Sequence, residues 1–252
     1  MRVNVIIPAA GLGVRMHAAS PAAGELAEKN PKAQPAKQFL ELSGAPIIIH
    51  TLRKFVEHPQ VDEIWVALRG HEMAELEERL ASEKFHKPIH LAGGGDHRQQ
   101  SVSNALDAIH GSGDDLVLVH DAVRPLVDAT IISSVIAAAL KYGAAIAGVP
   151  ASDTVKQVER TSEGALITST IPRERIVLAQ TPQGFRYHIL KHAFEESSAD
   201  GFIGTDEASL AERAGHPVVV VMGSYRNLKI TTPGDLELAE FLLRDSMKRG
   251  TP

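Results

Sequence analysis

Apolar residues in this chain come in short runs separated by amphipathic stretches. Residues 3–7 are apolar except for Asn4 and run into Pro8 and Gly11, the pattern of a buried parallel strand followed by a loop. Residues 61–68 alternate around the only tryptophan and predict a second strand, and 89–91, 116–119 and 144–149 predict three more. Helical patterns lie between them. From Pro46 to about residue 57, Ile48, Thr51, Leu52 and Phe55 share one face, and Pro59 stops the run. Residues 72–85 carry Met73, Leu76 and Leu80 as the inner stripe of a charged helix. Val102, Ala105, Leu106 and Ile109 recur at helical spacing from about Arg98, and 131–140 is a further helix. This alternation predicts an α/β fold with a doubly wound, mostly parallel, Rossmann-like sheet.

The rhythm breaks at residue 151. Residues 155–158 and 165–170 read as two polar strands around a Glu163-Gly164 turn. Such a hairpin has too little apolar face to fold alone. Residues 151–178 therefore predict a projecting β-arm that docks on a partner subunit, attached to one domain spanning 1–252. Helices are expected over 186–198 and 205–214, and strands over 217–222 and 226–230. A last helix starts at Thr232-Pro233, with Asp235 three residues after a Thr N-cap. Residues 17–36, rich in Ala and Pro and without a period, predict a mobile excursion with a short helical turn near 24–29.

Composition narrows the chemistry. With 252 residues, 44% hydrophobic and 23% charged, the chain is in the globular range. The absence of cysteine excludes disulfides, thiolate metal sites and cysteine nucleophiles. The formal net charge of −5 argues against a general grip on nucleic acid or an anionic membrane. No apolar run approaches the roughly 20 residues of a spanning helix, and the first ten residues lead into a Gly turn rather than a cleavage site. A soluble, reducing, cytoplasmic setting is expected. Any recognition of phosphate must then rest on a few local charges.

One such place is PAAGLGVRM (8–16), directly after the first strand. Glycines let backbone N–H groups approach phosphate oxygens closely. Gly11 and Gly13 are present, but a dinucleotide loop would carry a third glycine where Met16 stands, and Arg15 stands in the loop instead. A guanidinium there suits a triphosphate in reaction, whose oxygens gain charge toward the transition state. The bland alternative is an ordinary Gly turn with a surface Arg.

That loop is followed in order by KQFL (37–40), GGDHRQQSV (94–102), VHDAVRP (119–125), DTVK (153–156), AQTPQGF (179–185), TDEAS (205–209) and NLKITTP (227–233). Together these motifs strongly resemble the 2-C-methyl-D-erythritol 4-phosphate cytidylyltransferase family of non-mevalonate isoprenoid synthesis, over almost the whole chain. The resemblance implies transfer of a cytidylyl group from CTP to a sugar-alcohol phosphate, with Mg²⁺ as cofactor and a homodimer whose arms complete each other's pockets. It implies that Arg15 and Lys37 stabilise the five-coordinate phosphorus. Lys32 resembles the same context, because the link from Met16 is longer than the family's usual one; Phe39 and Leu40 favour Lys37. CTP would be held by Pro8, Ala9, Ala10, Gly11, Gly13, Gly94, Gly95, Asp96, Arg98 and Ser101. Asp96 could otherwise be a mere helix cap.

Asp121 sits at the carboxyl end of a buried strand, the edge where open α/β sheets bind ligands. A carboxylate beside a triphosphate needs a cation between them. Asp121 therefore either meets Mg²⁺ directly, meets it through water, or binds substrate hydroxyls. Arg124 would bind substrate or only pair with Asp121. By resemblance Thr154 and Arg173 serve the neighbouring subunit's pocket, with Arg175 as a competing assignment, while Thr181 and Lys229 line that pocket and Lys229 holds the acceptor phosphate. Singly, Thr181 could be a loop hydroxyl and Lys229 an edge-strand gatekeeper. His120 reads as a packed strand-end residue, and 205–207 as a helix N-terminus with acids that complement its dipole.

Three competing functions differ in testable ways. A ribitol-5-phosphate cytidylyltransferase shares most motifs, but the PAAG opening favours methylerythritol phosphate. A nicotinamide-dependent oxidoreductase lacks its third glycine and an acid after the second strand, where Leu68-Arg69-Gly70 stand. A non-catalytic nucleotide-binding protein would have no reason to keep Arg15, a KQ lysine and Asp121 together.

Overall fold

The computed structural model describes residues 1–11, 36–162 and 164–248. The central sheet has seven strands: β1 (Val3–Pro8), β4 (Glu63–Leu68), β5 (Ile89–Gly93), β6 (Leu116–Val119), β7 (Ala144–Pro150), β10 (Val177–Arg186) and β11 (Val219–Met222). They lie in the order β11-β7-β10-β6-β1-β4-β5. Pairings are parallel except those of β10, which runs antiparallel to both β6 and β7. A small β2–β3 hairpin (Glu41–Leu42, Ala45–Pro46) leads into the first helix.

The strands read as near-continuous apolar runs because both faces are covered. On one face Val5, Ile7, Leu116 and Leu118 pack beneath α1 (Ile47–Val56), α2 (Gly70–Ser82) and α4 (Ala129–Tyr142), through Leu52, Phe55, Leu76, Val135 and Ile136. On the other, Ile6, Val117 and Val119 meet α3 (Arg98–Ala108), α5 (Tyr187–Asp200) and α6 (Glu207–Arg213), through Val102, Leu106, Leu190, Phe194 and Leu210. The last helix, α7 (Pro233–Lys248), starts where Thr232 and Asp235 exchange backbone and side-chain bonds, and Ala239 packs with Leu42 and Ile230.

The predicted doubly wound sheet is present, with two corrections. The sequence pattern predicts no strand at 177–186. β10 nevertheless runs through the middle of the sheet: its register shifts between Gln180 and Gln183, which takes Pro182 out of the ladder. Conversely 226–230 is not a strand but a loop, in which Ile230 donates its amide to Val123 and Asn227 to Ser224. The gatekeeper reading of Lys229 falls with it.

The hairpin expected within 151–178 is present, and its strands are longer than the pattern predicts. Among the described residues β8 (Val155–Thr161) and β9 (Gly164–Ile171) pair only with each other. Val158, Leu166 and Ile167 are exposed on it, as are Val177 and Leu178 at the start of β10. The expected excursion and its helical turn lie outside the described residues, apart from Ala36.

Candidate active site

The carboxyl ends of β1, β4, β5 and β6 converge on a cavity of about 300 Å³. Pro8, Ala9, Ala10 and Gly11 form one wall. Their backbone is held from three sides: Ala9 donates its amide to Ala67 at 2.8 Å, Arg69 Nη2 donates to the Ala10 carbonyl at 2.7 Å, and Gln38 Nε2 donates to the Ala9 carbonyl. Gln38 is itself buried beside Glu72, 3.4 Å away, whose carboxyl burial pushes up. The 3-10 turn Lys37–Phe39 is thereby tied to the loop, and Lys37 lines the same cavity. Neither Arg69 nor Gln38 was expected to matter. Gln38 lies within the KQFL motif, whereas Arg69 stands out only as occupying the place of an acid after the second strand.

The opposite wall is the entry to α3. Gly94 has to be glycine, since a Cβ there would stand 2.4 Å from Ala10 Cβ and 3.0 Å from the Leu68 carbonyl. Gly95 donates its amide to Ser101 Oγ at 3.0 Å, and Ser101 Oγ donates to the His97 carbonyl at 3.1 Å. Gly95, Asp96, Arg98 and Ser101 line the cavity. The cap of α3 is His97, whose Nδ1 accepts the Gln100 amide, and not Asp96.

Asp121 lies on the cavity floor and gathers three cations. Lys229 Nζ is 2.8 Å from Oδ2, Arg124 Nε is 3.4 Å from Oδ2 and Arg98 Nε is 3.3 Å from Oδ1. Burial alone would raise its pKa, but Arg98, Lys229 and Arg124 outweigh that and hold the carboxyl well below the usual range. Arg124 also donates to the Asn227 carbonyl at 2.6 Å, so it anchors the Lys229 loop as well as pairing with Asp121. Gln180 reaches the same loop, donating to the Ser224 carbonyl at 2.9 Å.

Arg98, Asp121 and Lys229 also border a second cavity of about 190 Å³, completed by Arg124, Thr181, Gln183, Thr205 and Asp206 among others. Thr205 and Asp206 thus line a cavity as well as starting a helix, where Asp206 accepts the Ser209 amide. Two polyanions could meet across these shared cations, which is the arrangement that in-line phosphoryl chemistry requires.

The structure therefore brings together Pro8, Ala9, Ala10, Gly11, Lys37, Gly94, Gly95, Asp96, Arg98, Ser101, Asp121, Arg124, Thr181 and Lys229. Thr154 and Arg173 stand apart at the exposed base of the arm, where Arg173 Nη1 donates to the Ser152 carbonyl at 2.7 Å, and neither lines these two cavities. Gly13, Arg15 and Lys32 lie outside the described residues. Among the described residues there is no cluster of three or more His, Cys, Asp or Glu side chains able to hold a metal ion. Nor is any described helix long and apolar enough to cross a membrane.

The family model for 2-C-methyl-D-erythritol 4-phosphate cytidylyltransferase matches residues 3–245. A curated protein of that name from Acidobacterium capsulatum is 55% identical over 249 residues, covering 99% of this chain and 100% of the relative. One from Solibacter usitatus is 48% identical, covering 100% and 99%. Among solved structures, the 2-C-methyl-D-erythritol 4-phosphate cytidylyltransferase of Francisella tularensis is similar with a TM-score of 0.77 and 35% identity, covering 96% of this chain and 100% of that one.

Proposed function

The chain belongs to the 2-C-methyl-D-erythritol 4-phosphate cytidylyltransferase family, and on that premise we propose that CTP occupies the larger cavity and the sugar-alcohol phosphate the smaller one. The reaction transfers the cytidylyl group of CTP to 2-C-methyl-D-erythritol 4-phosphate, giving 4-diphosphocytidyl-2-C-methyl-D-erythritol and pyrophosphate. The ribitol-5-phosphate and nicotinamide readings give way to this assignment.

The observation that carries the placement is the shared floor of Arg98, Asp121 and Lys229 between the two cavities. An oxygen of the acceptor phosphate attacks the α-phosphorus of CTP; a new P–O bond forms, the bond to the bridging α–β oxygen breaks, and its electrons leave with pyrophosphate. The attacking phosphate is already ionised, so positioning and charge neutralisation are the protein's task. In this reading Lys37 and Arg15 stabilise the five-coordinate phosphorus, and Lys229 and Arg124 hold the acceptor. Backbone from Pro8 to Gly11, with Gly13, Gly94, Gly95, Asp96, Arg98 and Ser101, holds the nucleotide.

Mg²⁺ would enter on the triphosphate. That ion commonly keeps several waters and takes one or two carboxylates plus substrate phosphates, so the lack of a three-ligand cluster among the described residues suits it. Asp121 is the carboxylate that would hold it, through water, since both its oxygens already face cations. When bound, the ion neutralises phosphate charge.

The exposed apolar residues of the arm support a homodimer in which residues 151–178, including Thr154 and Arg173, complete the neighbour's acceptor pocket. We place this enzyme in the cytoplasm. A pyrophosphate-release assay with CTP, Mg²⁺ and 2-C-methyl-D-erythritol 4-phosphate tests the reading, with ribitol 5-phosphate as the alternative acceptor. No release at saturating substrates would sink it.

A further inference from the structure

Glu207, the first residue of α6, is 1% exposed, and both its oxygens accept from Arg98 Nη1, at 2.7 and 2.9 Å. Removing a carboxylate from water is expensive, and a site needing only packing would be better served by an apolar side chain. Helix capping does not explain it either, because Asp206 already accepts the Ser209 amide and Ser209 Oγ bonds back to Asp206. Burial pushes the Glu207 carboxyl up and the Arg98 guanidinium pulls it back down, so the group is directed at Arg98.

Its own position is over-determined. Gln183, buried in the central strand β10, donates Nε2 to Asp206 Oδ2 at 2.8 Å and accepts the Ala208 amide on Oε1 at 3.0 Å. These two bonds fix the residues on either side of Glu207. The rigid sheet thus sets the first turn of α6, the turn sets Glu207, and Glu207 sets Arg98.

Arg98 carries five N–H donors in a planar fork. Nη1 donates to the Glu207 carboxylate, whose two oxygens share it, and Nε donates its one hydrogen to Asp121. The two on Nη2 make no hydrogen bond among the described residues, and Arg98 borders both cavities. The guanidinium is thus held through Nε and Nη1 by two carboxylates, which leaves Nη2 as the group for a ligand of the cavities that Arg98 borders.

We propose that Glu207 is a positioning residue of the transfer reaction, acting through Arg98 by holding its guanidinium so that Nη2 meets the phosphate oxygens at the junction of the two cavities. This rests on the function proposed above. A donor held in advance is most valuable where charge develops, so its loss falls on kcat more than on KM.

A mutant cycle tests this. Glu207→Gln keeps the shape and one acceptor but removes the charge. It should lower kcat by about tenfold or more, with KM for CTP changed less than about threefold. In an Arg98→Ala background the same substitution should alter kcat by less than about twofold, because a residue acting through Arg98 has nothing left to act on. Glu207→Asp keeps the charge and should recover part of the loss; it also stands in for Glu207→Gln in the cycle should that variant fail to fold. An undiminished kcat in a folded variant, or losses that simply multiply in the double variant, overturns the proposal. Absence of pyrophosphate release by the unaltered enzyme would instead overturn the function on which it rests.

Discussion

The hydroxyl of Thr181 lies 3.1 Å from Nδ1 of His120 and 3.0 Å from the amide nitrogen of Asp121. His120 Nε2 faces the Arg124 carbonyl at 3.1 Å, and a carbonyl can only accept, so Nε2 carries the proton and Nδ1 accepts from Thr181. Thr181 then accepts the Asp121 amide, and every group in the chain has a partner. A residue expected only to line the acceptor pocket thus also sets the backbone of the central carboxylate. Thr181→Val, which keeps the shape, should destabilise the fold by about 1–3 kcal/mol, the cost of orphaned buried polar groups. It should also lower turnover, while Thr181→Ser retains both. Urea unfolding alongside the pyrophosphate assay checks this, and a Val variant as stable and active as the parent contradicts it.

His120 gives the fold a pH dependence. Burial lowers its pKa to about 4, with the Arg124 carbonyl and Asp121 pulling the other way. An unfolded histidine titrates near 6.5. Between those values the unfolded chain binds the proton and the folded one does not, so stability is full above about pH 6.5, falls as the pH drops toward 4, and levels off below that for this group. The interval corresponds to about 3 kcal/mol. Burial lowers His50 and His58 as well and adds to the same trend. Denaturant titrations at pH 7.5 and 5 should show the loss, and His120→Gln should show a shallower one. A parent protein equally stable at both values refutes the assignment.

What the sequence made legible follows from physical cause. Strands covered on both faces, such as Leu116–Val119, show as unbroken apolar runs, and a glycine or carboxylate at a strand end, such as Gly94 or Asp121, is marked by its place after the run. β10 was hidden because its partners β6 and β7, not its own residues, make it a strand. Leu228 and Ile230 imitated strand alternation because they pack with Val123 and Leu236. Glu207 was read as a helix-end acid because its partner Arg98 is 109 positions away, and no local pattern records such a contact.

Gly94→Ala probes the fit of the two cavity walls. The new Cβ would stand 2.4 Å from Ala10 Cβ, with the Leu68 carbonyl at 3.0 Å behind it, and neither is the far end of a flexible side chain. The Ala10 backbone must give way, and with it the amides proposed to face the triphosphate. KM for CTP should rise about tenfold or more, as expected when a binding interaction worth roughly 1.4 kcal/mol is lost, with a smaller effect on the acceptor. Gly93→Ala, where a Cβ meets nothing within 4 Å, is the matched control. Equal kinetics for the two variants would show that the close approach is irrelevant to nucleotide binding.

The arm separates folding from assembly. Leu166 and Ile167 are 63% and 58% exposed on β9, so charged replacements there should leave the stability of a single chain within about 0.5 kcal/mol. If a second chain covers them, Leu166→Glu with Ile167→Glu should bury two charges in an apolar contact and split the dimer. Sedimentation equilibrium should then report two chains for the parent and one for the variant. Turnover should fall with the dimer if Thr154 and Arg173 complete the neighbouring acceptor pocket as proposed above. CTP binding should persist, since the described walls of the nucleotide cavity all belong to one chain. A parent that sediments as one chain at concentrations where it is fully active would remove the arm from the mechanism.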